Sequence, residues 1–265
     1  FNMEKITANA DDIADYGIVL HNIVSGTFRN LMAANAARGG MVIEGCQSAH
    51  FNHIHSHFNS GFGILMIRCN GAHFYHVTTT VNSGDGLIIT GDPTQHVTPL
   101  IGPTDKTLRG SGGLWIYGFN SEGNGSDNGA PDSQNFKDPS PQRGHGLVLY
   151  KLRGGAHING GWIEGNRGDG IYIEDGQNSN ITNLKMLVGV ADDHRNKDGT
   201  PNESLNYYTY KPRWLRVQGN ESWGNIIEHN HAESTNGIME IGFQAFAIDV
   251  EEKDKTKNTV WSLRK

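Results

Sequence analysis

Four glycines recur at intervals of 23 residues in the first third of the chain. Each one precedes a short apolar run, and they are Gly17, Gly40, Gly63 and Gly86. A unit of this size cannot bury an apolar face alone, so successive units must stack on one another. The runs have the length of strands, which excludes helical repeats of about 33 to 47 residues. The period therefore predicts a β-solenoid.

The period returns later in the chain, at Gly146, Gly170, Trp214 and Gly237. Three predicted insertions take up the remaining length, at about 91–112, 125–143 and 189–212. Because the period runs from end to end, we expect one domain over residues 1–265. The first eight residues already read as the latter half of a coil, so we expect this domain to be a fragment of a longer chain.

A second apolar column lies 12 residues before the next glycine, at Phe28, Phe51, Phe74, Ile116 and Ile158. A third column follows three residues later, at Leu31, Ile54, Val77 and Phe119. Alternate side chains of a strand face opposite sides, so both columns mark inward faces of further sheets. Each coil of about 23 residues thus fits three short strands joined by tight bends.

The glycine-apolar runs, the turn asparagines Asn59, Asn82, Asn124 and Asn166, and the stretch 161–171 resemble right-handed parallel β-helix proteins. Pectate lyases, polygalacturonase-type hydrolases and bacteriophage tailspike depolymerases belong to that group, and the tailspikes resemble this chain most. The resemblance implies an all-β, right-handed parallel β-helix with loop insertions. It also implies an extracellular or virion-surface protein that acts on polysaccharide and assembles as a homotrimer.

Charge and hydropathy exclude two classes of partner. The net charge of −6 argues against nucleic acid, which requires a basic surface. No apolar run approaches the roughly 18 residues of a membrane span, so we expect no membrane insertion. Nothing in the sequence calls for a cofactor.

The repeat predicts which side chains face outwards on the last strand of each coil. These outward pairs are His55 and His57, Thr78 and Thr80, Asn120 and Glu122, and Trp162 and Glu164. We predict Glu122 and Glu164 to be the catalytic pair, because stacked strands lie about 4.8 Å apart. Carboxyl groups about 5–5.5 Å apart suit a retaining glycosidase. The alternative is that both glutamates are solvated residues before a turn.

The other outward residues are predicted to contact substrate. Trp162 would stack on a sugar ring, unless an insertion covers it, and Asn120, His55 and His57 would bind hydroxyl groups. Histidines spaced by one residue also suit a metal. We predict no metal site, because His53 and His76 fall at a bend where other coils have asparagine, which indicates a stacked polar column.

The third insertion contains further candidates for substrate binding, namely Asp192, Asp193, Arg195 and Tyr207. Acids, cations and aromatic rings together suit a polysaccharide, and loops on a rigid scaffold commonly form the walls of a binding groove. For the two aspartates the alternative is ordinary turn formation.

The first strand of each coil is apolar on both faces, with Val19, Val42, Leu65, Ile88 and Val148 directed outwards. A stripe of this length should be covered. A homotrimer, a flanking helix or an insertion would each cover it.

Three functions fit these residues. The first is an endo-glycoside hydrolase on bacterial surface or capsular polysaccharide, with Glu122 and Glu164 as its carboxylates. The second is a polysaccharide lyase, which removes a proton beside a uronate carboxylate and would recruit His55, His57, Arg195 and Tyr207. The third is an adhesin or structural spike that binds glycan without cleaving it.

Overall fold

The computed structural model describes residues 2–91, 112–125, 144–166, 168–188, 215–218, 224–228, 231–234, 248–250 and 259–260. Side chains are described as far as Met186 and again at 215–217 and 224–227. The predicted insertions lie almost wholly outside these ranges. No helix long and apolar enough to cross a membrane occurs within the described residues.

The described strands form two parallel sheets. The larger sheet contains β1 (Asn2–Asn9), β3 (Val24–Ala34), β5 (Gln47–His57), β7 (His73–Thr80), β9 (Gly112–Glu122), β11 (Gly154–Glu164), β13 (Asn180–Val188), β15 (Ile226–Glu228), β16 (His231–Ser234) and β18 (Thr259–Val260). The smaller sheet contains β2 (Tyr16–His21), β4 (Gly39–Glu44), β6 (Phe62–Ile67), β8 (Leu87–Thr90), β10 (Leu147–Tyr150), β12 (Ile171–Glu174), β14 (Leu215–Gln218) and β17 (Ile248–Val250). From β1 to β14 the chain alternates between the sheets, so each coil contributes one strand to each.

Each strand pairs in parallel with the equivalent strand of the next coil, in the register that the 23-residue period predicts. Met41 pairs with Ile64, and Ile64 pairs with Leu87. The register continues across the first two insertions, because Leu87 pairs with Leu147. The predicted fold class, an all-β right-handed parallel β-helix, is confirmed.

The longer strands of the larger sheet bend near their middle. β3, β5 and β13 have a left-handed residue at the bend, namely Asn30, His53 and Asn183, with φ angles of 54°, 54° and 56°. Asparagine tolerates this conformation better than most residues. The three strands predicted for each coil are therefore one straight strand and one bent strand with two straight halves.

The coil-opening glycines are required by close packing. A Cβ atom at Gly63 would lie 2.6 Å from the carbonyl oxygen of Gly86, and one at Gly146 would lie 2.8 Å from that of Gly170. Their φ angles are not in the left-handed region. The 23-residue period thus marks the line along which successive coils approach most closely.

A ladder of four buried asparagines stabilises the turn before that line. The amide nitrogen of Asn59 donates to Asn82 over 2.7 Å, Asn82 donates to Asn124 over 2.8 Å, and so does Asn124 to Asn166. Each side-chain oxygen also accepts a backbone N–H from the preceding coil, as between Asn59 N and Asn82 at 3.2 Å. The ladder satisfies turn amides that have no strand partner.

The interior contains apolar columns in the same register. The rings of Phe28, Phe51 and Phe74 stack with centroid distances of 4.7 and 4.5 Å. Cys46 and Cys69 are buried thiols of the same core. The first and second halves of each bent strand therefore close one continuous core with the smaller sheet.

The outward face of the smaller sheet is largely buried in the isolated chain. Val42, Leu65, Ile88 and Val148 have no exposed surface, whereas Val19 in the first coil is 39% exposed. The expectation that this stripe is covered is confirmed. Its burial within one chain removes the stripe as a reason to require a homotrimer, which stays a prediction.

The prediction that Gly237 opens the next coil is wrong. β14 pairs with β17, so Ile248 and Val250 continue the columns of Leu215 and Val217. A strand that began after Gly237 would direct Glu240 into the core, because the third residue of each run faces inwards. Burying an unpaired carboxylate there is costly, whereas the residues in register with Leu215 and Val217 are isoleucine and valine.

We expect Asn82→Ala to lower the free energy of unfolding by about 2–3 kcal/mol, because buried amide groups of the neighbouring coils lose their partners. Urea or thermal unfolding followed by circular dichroism measures this loss. Asn159→Ala is the matched control, since its oxygen accepts from Asn183 at the surface, and its effect should stay within about 0.5 kcal/mol. Equal losses for the two variants would contradict a stabilising role for the buried ladder.

Candidate active site

The candidate site lies on the outward face of the second halves of the bent strands, which we call the site face. Its members in successive coils are His55 and His57, Thr78 and Thr80, Asn120 and Glu122, Trp162 and Glu164, and then Lys185. These residues are exposed or half-buried, while the residues between them face the core. The predicted outward parity of this strand is confirmed.

Glu122 and Glu164 are register partners on adjacent strands β9 and β11. Adjacent strands lie about 4.8 Å apart, so the two carboxylates rise from neighbouring positions on the same side of the sheet. Glu122 is exposed and Glu164 is half-buried. The alignment of these two glutamates, 42 residues apart in sequence, is therefore as predicted.

Trp162 holds the carboxylate of Glu164. Its indole N–H donates to Glu164 Oε2 over 2.7 Å. This contact joins residues two apart on one strand, whose side chains share a face. The N–H is thus committed to the carboxylate and orients it.

Lys185 covers part of the same indole. Its ammonium lies 4.6 Å from the ring centroid of Trp162, in the geometry of a cation–π contact. The two residues are register partners on β11 and β13. Lys185 is not among the predicted site residues, although its position 23 residues after Trp162 is the signal that places it there.

The indole is therefore less available to a sugar than the sequence suggested. One side of the ring meets the ammonium of Lys185, and the N–H is bound to Glu164. The ring contacts the Lys185 ammonium and the Glu164 carboxylate and orients both. Stacking of substrate on Trp162 stays a prediction.

His55 and His57 lie two coils from Glu122, with Thr78 and Thr80 between them and the glutamate. Their rings meet edge to face, with centroids 4.7 Å apart, and His55 Nε2 lies 3.4 Å from Thr80 Oγ1. Burial lowers the pKa of His55, and the charge of His57 lowers it further. Burial also lowers the pKa of His57. Both imidazoles are thus neutral at neutral pH.

His53 and His76 do not belong to the site face. They occupy the bend, where their rings stack with centroids 4.8 Å apart. This confirms the polar column predicted there. Within the described residues, no group of three or more histidine, cysteine or acidic side chains could hold a metal ion.

The structure thus brings four predicted residues together on two adjacent coils: Asn120, Glu122, Trp162 and Glu164. His55 and His57 also lie on the site face, two coils away from Glu122. The remaining predicted residues lie outside the described residues, and they are Asp192, Asp193, Arg195 and Tyr207.

A buried polar network outside the site face was not predicted as a unit. Asp85 accepts the backbone N–H groups of Gly144 and His145 over 2.9 and 2.7 Å. Asp169 accepts from Arg216 Nε over 2.7 Å, and its own N–H donates to His145 Nδ1. Both aspartates directly precede a glycine that opens a coil, Gly86 and Gly170. Their 0% exposure gives them a role in the scaffold.

A comparison with solved structures supports the fold described above. No family model matches the chain, and no characterised protein matches its sequence. The enzymatically active domain of tailspike protein 2 from bacteriophage CBA120 is similar in structure, with a TM-score of 0.53 at 12% identity. This chain has the parallel β-helix fold of that tailspike domain. The match covers 89% of this chain, which spans about a quarter (27%) of the length of that domain.

Two weaker similarities accompany this one. Pectate lyase Pel9A matches with a TM-score of 0.43 and 14% identity, over 83% of this chain and 49% of the lyase. Tailspike protein 3 of the same phage matches with a TM-score of 0.28 and 12% identity, over 97% of this chain and 51% of the tailspike. The chemistry of this chain rests on the residues described above.

We expect His55 and His57 to titrate below the ordinary histidine pKa of about 6.5, because partial burial disfavours the imidazolium form. Their contribution to stability is present above that value and is lost as the pH falls through the folded-state pKa. His57→Asn should raise the pKa of His55, since it removes a neighbouring positive charge. NMR titration of the imidazole resonances measures both. A His55 midpoint that His57→Asn leaves unmoved would contradict coupling between the two rings.

Proposed function

We propose that this chain is a polysaccharide depolymerase of the endo-acting glycoside hydrolase type, with Glu122 and Glu164 as its catalytic carboxylates. The observation that carries the proposal is their pairing in register on an outward sheet face, with one carboxylate held by an indole N–H. Glycoside hydrolysis requires two such groups, one on each side of the bond that breaks.

The contacts of the two glutamates suggest different roles. A donated N–H is accepted most strongly by an ionised carboxylate, so Glu164 acts as the nucleophile. Glu122, its register partner on the neighbouring strand, acts as the acid that protonates the leaving oxygen. The strand spacing of about 4.8 Å favours a retaining mechanism, whose carboxyl groups lie about 5–5.5 Å apart.

The shape of the site supports a polymeric substrate. The site face extends over at least five coils, from His55 to Lys185, and its residues are exposed or half-buried. A face of this length accepts the middle of a long chain. The fold of the tailspike enzymatic domain adds support for a bacterial surface or capsular polysaccharide, met outside the cell or on a virion. A homotrimer is part of this proposal.

A second reaction, β-elimination by a lyase, is favoured by one observation. The lowered pKa values leave His55 and His57 as neutral imidazoles at neutral pH, which is the form that removes a proton. No contact described here joins them to a cation that would neutralise a uronate carboxylate. The hydrolase accounts for more of the residues on the site face.

We expect Glu122→Gln and Glu164→Gln each to lower kcat by at least about 100-fold on the cleaved polysaccharide, because general acid and nucleophile functions are lost. A panel of bacterial capsular and secreted polysaccharides is assayed for new reducing ends and for near-ultraviolet absorbance. Glu4→Gln, an exposed glutamate on β1, is the matched control and should retain full activity.

The two readouts separate the three functions. Reducing ends without absorbance, with the anomeric configuration retained in NMR spectra of early product, support the proposed hydrolase. Absorbance from an unsaturated product would shift the assignment to the lyase. Binding of a polysaccharide with neither signal would identify an adhesin.

We expect Trp162→Phe to lower kcat about tenfold while KM changes little, because the ring remains but the hydrogen bond to a charged group is lost. Steady-state kinetics on the same polysaccharide provide the test. A rise in KM at constant kcat would instead show that Trp162 binds sugar in the ground state and does not orient Glu164.

A further inference from the structure

A second outward surface lies on the first halves of the same bent strands, and we call it the ring face. Its members are His73, Tyr75, Trp115, Tyr117, His157 and Asn159. His73, Trp115 and His157 stack with centroid distances of 4.8 and 5.6 Å, while Tyr75 and Tyr117 stack at 5.3 Å. None of these side chains is among the predicted site residues.

The stacked rings cover one another's faces along the axis of the β-helix. What remains exposed is the outer part of each ring, and Tyr75 and Tyr117 are each 37% exposed. A phenol ring has its hydroxyl at this outer end, and imidazole and indole rings have nitrogen atoms at their edges. The ring face therefore presents ring edges and their polar groups at the spacing of adjacent strands.

The bend between the ring face and the site face has side chains on most coils. Asn30, His53, His76 and Asn183 occupy this position on their coils. On β9 and β11 the same position holds Gly118 and Gly160. The bend therefore has a gap on the two coils that contain Glu122 and Glu164.

The backbone does not require glycine in this gap. Gly160 has a φ angle of 73°, and His53 and His76 have side chains at φ angles of 54° and 56° in the same column. A Cβ at Gly118 would lie 3.2 Å from His76 Nδ1, which is a tight contact, but a Cβ at Gly160 would meet nothing within 4 Å. Gly161 differs, since its Cβ would lie 1.9 Å from the carbonyl oxygen of Phe119. Packing thus explains Gly161 and leaves Gly160 unexplained.

We propose that the bound polysaccharide crosses the bend over Gly118 and Gly160 and that the ring face is a distal subsite for sugars of the same chain. Glu122 lies five positions after Tyr117, a span of at most about 17 Å along the strand. The gap between His76 and Asn183 covers three strand spacings, about 14 Å. This inference rests on the proposed function, because the occupant is the chain cleaved at the carboxylate pair.

The occupant follows from the continuity of the two faces. Tyr117 and Glu122 lie on one strand, and Asn159 and Glu164 lie on the next. A sugar chain bound at the carboxylates and directed along the strands, over the bend, meets the ring face without leaving the surface. Hydroxyl groups on each pyranose match the phenol, indole and amide groups found there.

Gly160→Asn tests the gap directly. Asparagine is tolerated in this backbone conformation at Asn30 and Asn183, so the variant should fold with unchanged unfolding. Gly71→Asn is the matched control, because Gly71 is left-handed at 60° in another bend and its Cβ would meet nothing closer than 3.6 Å. Tyr117→Ala removes a ring of the subsite itself.

Binding is measured with the Glu164→Gln protein, so that the chain is not cut. The probes are the bacterial polysaccharides of the panel and size-fractionated oligosaccharides prepared from the one retained most strongly. Gly160→Asn and Tyr117→Ala should weaken binding of long oligosaccharides about fivefold to tenfold, as expected for one or two lost contacts. Binding of the shortest oligosaccharides, and of all lengths to Gly71→Asn, should be unchanged.

The outcomes separate this inference from the proposed function. Weaker binding of long chains alone supports the distal subsite, even if Glu122→Gln keeps the unaltered kcat, a result that would sink only the role of Glu122 as catalytic acid. Equal binding of every length by the Gly160→Asn and Tyr117→Ala proteins would overturn the subsite while leaving the carboxylate pair to its own test. Retention of no polysaccharide by the Glu164→Gln protein would overturn both.

Discussion

Successive coils must lie in register at a spacing of one strand, and every other feature of this molecule depends on that constraint. The coil-opening glycines permit the approach, since a Cβ at Gly63 would contact the carbonyl oxygen of the following coil. The asparagine ladder then makes the register specific, because each amide bonds to its equivalent one coil away. A shift by one residue would break the ladder and turn the apolar columns outwards.

The register converts distance in sequence into adjacency in space. Glu122 and Glu164 are neighbours only because a whole coil and an insertion between them leave the stacking unchanged. The surface accordingly consists of columns of side chains. Each column contains the residues that occupy one position of the repeat in successive coils. The site face and the ring face are two such groups of columns, separated by a bend that is open where the carboxylates lie.

Much of this organisation follows from periodicity. The coil length, the inward phenylalanines and the outward parity of Trp162 and Glu164 all derive from the two-residue alternation of strands combined with a 23-residue offset. The orientation of a side chain within its column does not follow from periodicity, because the rotamer decides whether the Trp162 indole N–H faces Glu164 or solvent. The misplaced strand after Gly237 shows the limit of a local pattern, since Glu240 in the core is unfavourable only in the stacked structure. The Asp85 network likewise joins turns about 60 residues apart, which no local window contains.

The bond between Trp162 and Glu164 lies within a single strand, whereas the pair of carboxylates needs two. Orientation of one acid is therefore a local property of a three-residue segment, and its partner is supplied by whichever coil stacks below it. In a repeating scaffold such a segment can be placed on a different coil. Transferred to the same position of another coil, it would retain its internal contact and acquire a new neighbour, so the chemistry of the surface can change without any change to the core.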